Sequence, residues 1–465
     1  MLRTALLFSL LLVTAPASAQ TLTVGPGMMY PTIAAAAAAA TNGSRIEISA
    51  GTYHDEVTWS ANDLTIVGIG DVIVDRTGMP LVLQGGGKGI FNIDGTNATV
   101  ENITFVGATC TSNNGAGIRW QGEGMLTVRG CTFRDNQNGI LGGNHPDNVA
   151  LIENNEFMGS GRGMVGFTHN VYINEIDTLT FRGNYSHSLA PETSDIGHLF
   201  KSRAHHNFVL YNRLTAEDSH SSYELQLPEG GIAYVIGNLI EQGSMGPNRT
   251  IVSIGGDGMQ WPDHHVFLIN NTIVNADTGG TFIQATAPID LDVINNLMIG
   301  PGTPISGGAT ITMMTNRMGA TSDIVSATTF DYHLAAGSPA IDAGTMPGSD
   351  GAMSLVPVMQ YVHPRMTQAR TSVGTIDIGA YEYGNTGVMV DAGGVVPDAG
   401  LLPDAGHAGV DGGPGSDAGH ATADAGSRPP STGGGCCGVA GTRSPYGSFF
   451  VLTLLGLLAL RRRAR

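Results

Sequence analysis

A short pattern of alternating apolar and polar residues returns eight times between residues 99 and 300. We interpret each return as a small strand, and most returns carry an Asn between β-branched or aromatic residues. The equivalent positions are Ile103, Cys131, Asn155, Asn184, Asn212, Asn238, Asn271 and Asn296. Neighbouring positions are separated by 24 residues (131 to 155) at the least and 33 residues (238 to 271) at the most. This period predicts a β-solenoid whose coils stack, since helical repeats would need an apolar period of 3.6 that is missing here.

The recurring Asn is predicted to have a structural role. At a tight bend between strands an Asn tolerates left-handed backbone and bonds nearby backbone groups. Stacked copies can form a ladder of side-chain amides along the solenoid. We therefore expect these Asn residues to hold the coils together and not to take part in catalysis.

Residues 22 to 383 resemble the pectate-lyase-like right-handed parallel β-helix superfamily, in which apolar-x-x-Asn-x-apolar coils stack in this way. The resemblance implies an all-β, single-stranded right-handed parallel β-helix. Tyr30-Pro31-Thr32-Ile33 followed by seven alanines is similar to the amino-terminal cap of pectin-methylesterase-like proteins and is expected to form a short capping helix. The resemblance does not specify the chemistry, because the superfamily includes lyases, hydrolases, esterases, epimerases and binding proteins.

The pattern and the local composition divide the chain into six regions. They are a signal peptide (1–19), an N-terminal cap with the first coils (20–98), the core repeats (99–319), a C-terminal closing segment (320–383), an Asp/Ala/Gly/Pro-rich disordered linker (384–434) and a C-terminal tail (435–465). The closing segment is expected to cover the last coil, because an open solenoid end exposes strand edges and apolar side chains.

The two terminal regions predict export. Residues 1–19 combine Arg3, a short apolar run and Ala17-Ser18-Ala19, which is the pattern of a cleaved secretory signal peptide. The tail has Cys436-Cys437, an apolar run over 448–460 that we expect to form a short transmembrane helix, and an Arg-rich end. It resembles a myxobacterial C-terminal sorting signal, which implies a cell-envelope sorting machinery as partner and a cell-surface or secreted location. A simple single-pass membrane anchor is the alternative.

Charge and cysteine content narrow the classes of partner. The formal net charge of −17 argues against nucleic acid, although a local basic cleft for an acidic sugar polymer can exist on an acidic protein. We expect a monomer.

Cys110 and Cys131 are either buried thiols or a disulfide, and Cys131 occupies the inward-pointing position of Ile103. No CxxC pair occurs there and no metal site is predicted, so calcium is the one cofactor left open.

One stretch, residues 197–206, concentrates groups that can handle protons. In an extended strand Lys201, Arg203 and His205 project from the same face, and three cationic groups together favour an anionic ligand. They suit β-elimination on a uronate-containing polysaccharide, in which a cation neutralises the sugar carboxylate and a base removes the C5 proton. Lys201 would be the base, with its pKa depressed by Arg203. His198 is a further catalytic candidate.

The same stretch is similar to the lysine-containing strand of β-helix alginate and chondroitin lyases. In that family the arginine lies on a neighbouring coil, so Arg213 is an alternative to Arg203 as the carboxylate clamp. The structural alternative is that Lys201 and Arg203 pair with Glu224 or Asp195 as a charged ladder.

Residues on adjacent coils would extend the groove. The candidate substrate-binding residues are His169, Tyr172, Tyr223 and Glu224, of which the tyrosines could stack on sugar rings or serve packing alone. Two classes of function therefore remain: a polysaccharide lyase, and a non-catalytic glycan-binding adhesin or structural surface protein. In both, extracellular polysaccharide is the expected partner.

Overall fold

The computed structural model describes residues 20–82, 88–160, 168–187, 197–217, 219–351 and 353–390. The predicted signal peptide, the C-terminal tail and most of the predicted linker lie outside the described residues, so their expected roles remain predictions. Among the residues that the structure describes, no helix is both long enough and apolar enough to cross a bilayer.

Most of the described chain forms a parallel β-solenoid with three rows of strands, which confirms the predicted all-β, parallel class. The ten-stranded sheet comprises Val57–Trp59, Gly89–Ile93, Ala116–Trp120, Asn138–Leu141, Val171–Ile173, Lys201–Ser202, Leu225–Leu227, Thr250–Ile254, Thr281–Ala285 and Thr303–Gly307. The other two rows, which we call the long row and the short row, are joined into one sheet because the strand Leu64–Asp75 pairs with both.

In each complete coil a strand of the long row is followed by one of the short row and then by one of the ten-stranded sheet. The long row comprises Thr21–Val24, Arg45–Tyr53, Leu64–Asp75, Ala98–Glu101, Met125–Arg129, Val149–Glu153, Thr178–Arg182, His206–Leu210, Ile232–Ile236, His265–Ile269, Asp290–Ile294 and Thr310–Met314. The short row comprises Thr104–Val106, Thr132–Arg134, Glu156–Met158, Tyr185–His187, Arg213–Thr215, Leu239–Gln242, Thr272–Asn275, Leu297–Ile299 and Arg317–Gly319.

The predicted Asn ladder lies at the corner between the long and short rows. The backbone N–H and the side-chain amide of Asn212 both donate to Oδ1 of Asn238, at 2.9 and 3.0 Å, and the same amide donates to the carbonyl of Phe181 at 2.8 Å. The ladder continues through Asn296 to Asn316, a member that the sequence pattern did not include.

Each return of the pattern therefore spans a corner and not one strand, which corrects the prediction. The residue before the ladder Asn adopts the left-handed conformation, as at Asn270 (φ 51°) and Gly237 (φ 68°). The ladder Asn itself is free to use its whole side chain for bonds between coils. A left-handed residue is needed because the chain turns between two strands within two residues.

The interior is apolar from the first coil onwards. The helix Ile33–Ala39 forms where the cap was predicted, with Thr32 Oγ1 accepting a hydrogen bond from the N–H of Ala35 at 3.1 Å and with Ile33 in the core. Inside the coils, phenylalanines from successive turns stack, as Phe105 and Phe133 do with ring centroids 5.2 Å apart.

Both cysteines in the described part of the chain are free. Cys131 is fully buried in the ladder position, as predicted from its equivalence to Ile103, and its N–H donates to Asn155 Oδ1 at 2.9 Å. Burial raises the pKa of its thiol to about 12, so it is an apolar filler and not a nucleophile.

The segment after the last coil packs along the flank of the solenoid. It contains the 3-10 turn Thr321–Asp323 and three small antiparallel sheets, formed by the strands Ile324–Ser326, Asp331–Leu334, Ser349–Asp350, Met353–Ser354, Met359–Val362, Met366–Ala369 and Met389–Val390. Tyr381 packs in one cluster with Leu239 of the short row, and Met359 in another with Tyr234 of the long row. The segment is held there because the outer faces of both rows are apolar.

This position differs from the expected closing of the solenoid end. Ile311, Met313 and Met318 of the last coil are 43, 51 and 46% exposed, whereas their register partners Leu291, Val293 and Met298 are buried. Within the described residues, segment 320–383 thus lies along the flank from the coil of Cys131 to that of Leu297 and leaves the apolar edge of the last coil open.

Candidate functional site

The candidate site lies on the outer face of the ten-stranded sheet. Tyr172, Lys201 and Gln226 are register partners on three successive coils. Their strand neighbours Val171, Phe200 and Leu225 belong to the core. Because successive residues of a strand point to opposite faces, Tyr172 and Lys201 point outward, as the sequence predicted.

The amino group of Lys201 is largely shielded from solvent. Its side chain is 12% exposed, and Nζ lies 3.6 Å from Oδ2 of Asp257 and 5.2 Å from the centre of the Tyr172 ring. Burial and, next, the charge of Arg203 lower the pKa of Lys201, while Asp257 opposes the shift. A lowered pKa increases the fraction of neutral amine, which is the form that can accept a proton.

Arg203 is held by two carboxylates. Its guanidinium bonds Glu229 and, at 2.6 Å, Oδ2 of Asp257. The sequence predicted Glu224 or Asp195 as the partners of Lys201 and Arg203 in a charged ladder. Asp195 lies outside the described residues. The ion pairs that the structure describes are formed with Glu229 and Asp257 instead. Asp257 is 40% exposed and lies between Gly256 and Gly258, which both have positive φ.

His169, His198 and Tyr223 form a row of rings next to Lys201. The rings of His169 and His198 stack at 4.6 Å, and Tyr223 contacts His198 at 5.0 Å. Burial, followed by the charge of Lys201, lowers the pKa of His198 to about 3, and burial lowers the pKa of His169 well below its usual value. Both imidazoles are therefore neutral near pH 7 and cannot act as cationic clamps, and at 2 and 7% exposure they are buried beneath the face.

His205 lies beyond Arg203, at the corner that leads back to the long row. Its Nε2 is 2.6 Å from Oδ1 of Asp263, and its ring stacks on Trp261 with centroids 4.7 Å apart. The indole N–H of Trp261 donates to the carbonyl of Arg203 at 3.0 Å. The corner is thus attached to the groove through Trp261, but His205 itself is bonded to Asp263.

Two predicted residues are absent from the groove. Arg213 lies on the outer face of the short row, where it bonds Glu217 at 3.2 Å and contacts the rings of Tyr185 and Tyr332. It is therefore no alternative to Arg203, because the C-terminal segment covers it. Glu224 is fully buried and bonded to Ser221, and burial raises its pKa well above the usual value, so it lies inside the protein and not in the groove.

Sequence reasoning missed Glu229 and Asp257, the carboxylates that surround the two cations. Asp257 and Trp261 belong to the coil with the 33-residue step between Asn238 and Asn271, the longest in the series. The extra residues form the loop that follows the strand Thr250–Ile254 and reaches back over Arg203. The irregular step was the available signal for this loop.

Sequence comparisons find no family model and no curated protein that matches this chain. Among solved structures, the chain is similar to pectate lyase Pel9A, with 14% identity, a TM-score of 0.47, and coverage of 78% of this chain and 97% of that one. It is also similar to a pectin methylesterase from Aspergillus niger (14% identity, TM-score 0.32, coverage 69 and 91%) and to pectin methylesterase PemA from Erwinia chrysanthemi (12%, 0.33, 57 and 82%). Similarities this low carry no argument about activity.

Proposed function

We propose that this chain acts on an extended, uronate-containing polysaccharide and cleaves it by β-elimination, with Lys201 as the base. The observation that carries the proposal is the position of the Lys201 amino group on the outer face of the ten-stranded sheet. This amino group is shielded from water, has a lowered pKa and lies next to Tyr172 and Arg203. A solenoid face of this kind offers a long, regular surface to a linear polymer.

In the proposed reaction, neutral Lys201 accepts the proton from C5 of the uronate. The electron pair of that C–H bond forms the C4–C5 double bond, the C4–O bond breaks, and the leaving oxygen takes up a proton from a solvent water molecule. Removal of the C5 proton requires that the charge of the sugar carboxylate be offset. Arg203 is the group placed to do this, because its guanidinium can bind a carboxylate in a fork.

Asp257 occupies the place that a substrate carboxylate would take. Its Oδ2 contacts both Lys201 and Arg203, and its loop is flanked by glycines. We propose that the uronate carboxylate replaces Asp257 on Arg203 when the polymer binds. The departure of Asp257 would also break its contact with the Lys201 amino group, so that this amine would be free to approach C5 of the sugar.

A second candidate is a non-catalytic glycan-binding protein that uses the same face. The ion pair between Lys201 and Asp257 favours it, because a paired ammonium is a poor base. In this case Tyr223 and Tyr172 would supply ring contacts to the sugar, with the buried His169 and His198 packed behind them. For both candidates we propose, from the sequence alone, that the protein is exported and displayed outside the cell.

The test is an incubation of the purified protein with alginate, pectate, chondroitin and hyaluronan, with and without calcium, while the ultraviolet absorbance of unsaturated product is followed. Lys201→Ala is expected to abolish the signal. Lys88→Ala is the matched control, since Lys88 is the only other lysine in the sequence. Circular dichroism of each variant checks that the fold is intact.

The outcomes separate the two candidates. Product formation by the wild type and by Lys88→Ala, with none by Lys201→Ala, supports the lyase. No product on any polymer, together with retention of one polymer in a pull-down, rejects the lyase and leaves the glycan-binding protein. Neither product nor binding rejects both.

A further inference from the structure

Three metal-ligating side chains meet at the corner between the ten-stranded sheet and the long row. The ligand atoms of Asp177, His205 and His206 all lie within 4.8 Å of one another. Asp177 precedes the strand Thr178–Arg182, and the two histidines occupy the same corner one coil later, where His206 is the register partner of Thr178. The stacking of coils therefore brings together residues that are almost thirty positions apart in the sequence.

The backbone holds this corner in place. The N–H of His205 donates to the carbonyl of Ile176 at 2.9 Å, and the N–H of His206 donates to the carbonyl of Asp177 at 2.8 Å. Oδ2 of Asp177 accepts a hydrogen bond from Thr178 Oγ1 at 2.7 Å, which leaves Oδ1 directed to other partners. The donor atoms are thus attached to a rigid frame before any ion binds.

The hydrogen bonding of the His205 ring is of the kind found for metal-ligating histidines. Its Nε2 lies 2.6 Å from Oδ1 of Asp263, so an ion at this corner would bind through the other ring nitrogen. Metal-ligating histidines usually hydrogen-bond a carboxylate or carbonyl through the nitrogen that is not on the metal, which fixes the ring and raises its basicity. Trp261 stacks on the same ring and restricts it further.

The spacing of the other two ligands also fits one ion. Nδ1 of His206 and Oδ1 of Asp177 are 3.6 Å apart, beyond a good hydrogen bond. Two ligands about 2.0 to 2.1 Å from a tetrahedral ion lie roughly 3.3 Å from each other. A small movement of either side chain, which are 33 and 45% exposed, would bring both to bonding distance.

We propose that Asp177, His205 and His206 bind one divalent transition-metal ion of the zinc class. Two imidazoles and one carboxylate suit zinc, cobalt or nickel, whereas calcium and magnesium prefer oxygen ligands throughout. Three protein ligands leave a fourth position open to solvent, because all three side chains are partly exposed. The ion would link two successive coils beside the Arg203 end of the groove, and the site does not depend on the proposed lyase activity.

Metal binding is tested on the full chain without an affinity tag, in a Cys436→Ser, Cys437→Ser background that removes the thiols of the tail. After treatment with a chelator, the protein is titrated with Zn²⁺ by calorimetry and with Co²⁺ by visible absorbance. One ion per chain is expected, with a Co²⁺ spectrum that contains no thiolate band and an increase in melting temperature on addition of Zn²⁺.

Variants assign the ligands. His205→Gln, His206→Gln and Asp177→Asn are each expected to weaken binding by at least about 10-fold, and Asp263→Asn by about 10- to 100-fold with a shifted Co²⁺ spectrum. His145→Gln is the matched control, because His145 is 42% exposed and 3.7 Å from Glu123, a comparable surface pair. Circular dichroism identifies variants that fail to fold.

Two results would overturn the proposal. The first is an absence of saturable uptake of Zn²⁺ and Co²⁺ by the chelator-treated protein. The second is uptake that His145→Gln weakens as much as His206→Gln does, which would mean adventitious binding by surface histidines. In either case the corner would hold only His–carboxylate pairs.

Discussion

The carboxylate of Asp257 lies 3.6 Å from the ammonium of Lys201, and the same oxygen binds Arg203 at 2.6 Å. A single acidic side chain thus contacts both cations of the candidate site. Asp257 comes from a loop and not from a strand of the sheet, so its side chain can turn away without breaking a pairing between strands.

Replacement of Asp257 by Asn is expected to lower the pKa of Lys201 further. The Asp257 charge opposes the shift caused by burial and by Arg203. The acidic limb of the pH dependence of kcat/KM, which reports deprotonation of the base, should move to lower pH, and KM for an anionic polymer should fall because Arg203 is released. Asp71→Asn, at an exposed site, is the control. An unchanged limb in Asp257→Asn would argue against Lys201 as the base.

His198 is expected to make the protein sensitive to acid. Its pKa is lowered to about 3 in the folded state, from an ordinary value near 6.5, so the unfolded chain binds more protons between these two pH values. The contribution of neutral His198 to the free energy of unfolding is fully present above pH 6.5. It is lost as the pH falls toward 3, by roughly 1.4 kcal/mol for each pH unit within that range.

Urea unfolding of the wild type and of His198→Phe at pH 7, 5.5 and 4 checks this expectation. The variant keeps a ring but does not titrate, so it should lose less free energy of unfolding on acidification. The exposed His145→Phe should behave like the wild type. Parallel losses in His198→Phe and wild type would show that other groups cause the acid sensitivity.

Replacement of an Asn in the middle of the ladder should lower the free energy of unfolding substantially. Asn212→Leu removes the acceptor used by two donors of Asn184 and the bonds to Phe181 and Asn238, all of them buried. We expect a loss of about 2 to 4 kcal/mol in the free energy of unfolding, since each stranded buried group costs about 1 to 3 kcal/mol. Asn316→Leu, at the open last coil, should cost clearly less. Equal losses would mean that the ladder does not stabilise through burial.

The ion pair Arg370–Glu382 should fix the C-terminal segment. Both side chains are 0% exposed, and Arg370 also donates to the carbonyls of Gly379 and Asp377. Arg370→Met leaves Glu382 buried and unpaired, so a loss of about 3 to 5 kcal/mol and early proteolysis of residues 320–390 are expected. Arg45→Met, which removes a pair exposed to 42 and 34%, should cost less than about 1 kcal/mol. Similar protease sensitivity of the two variants would contradict this assignment.

The periodic part of the molecule was predictable because its determinants are local and repeated. The Asn spacing indicated the solenoid, and the Cys131 position followed from its equivalence to Ile103. Strand alternation likewise placed Lys201 on an outer face, and the stacking of coils placed Tyr172 beside it. The left-handed conformation was predicted for the ladder Asn but is adopted by the residue before it. The two positions were hard to tell apart because Asn is common at both.

The remainder of the site depends on contacts that have no period. Asp257 reaches Arg203 over a separation of 54 residues through an irregular loop, and nothing in the short-range pattern indicates the partner. Arg213 follows the lysine strand closely in sequence but lies on another face, because the chain turns a corner between them. The apolar outer faces that bind the C-terminal segment were also hidden, since in a parallel sheet they look like core strands.

The flank position of the C-terminal segment changes how the molecule should come apart. In a solenoid each coil contacts only its neighbours, so coils can unravel one at a time from either end. Here Arg365 bonds the carbonyl of Cys131 across 234 positions, and Val358 bonds Tyr211 across 147. The C-terminal segment thus joins non-adjacent coils into one cooperative unit. A force that pulls on residue 390 would detach this segment from the flank before the coils beneath it began to unfold.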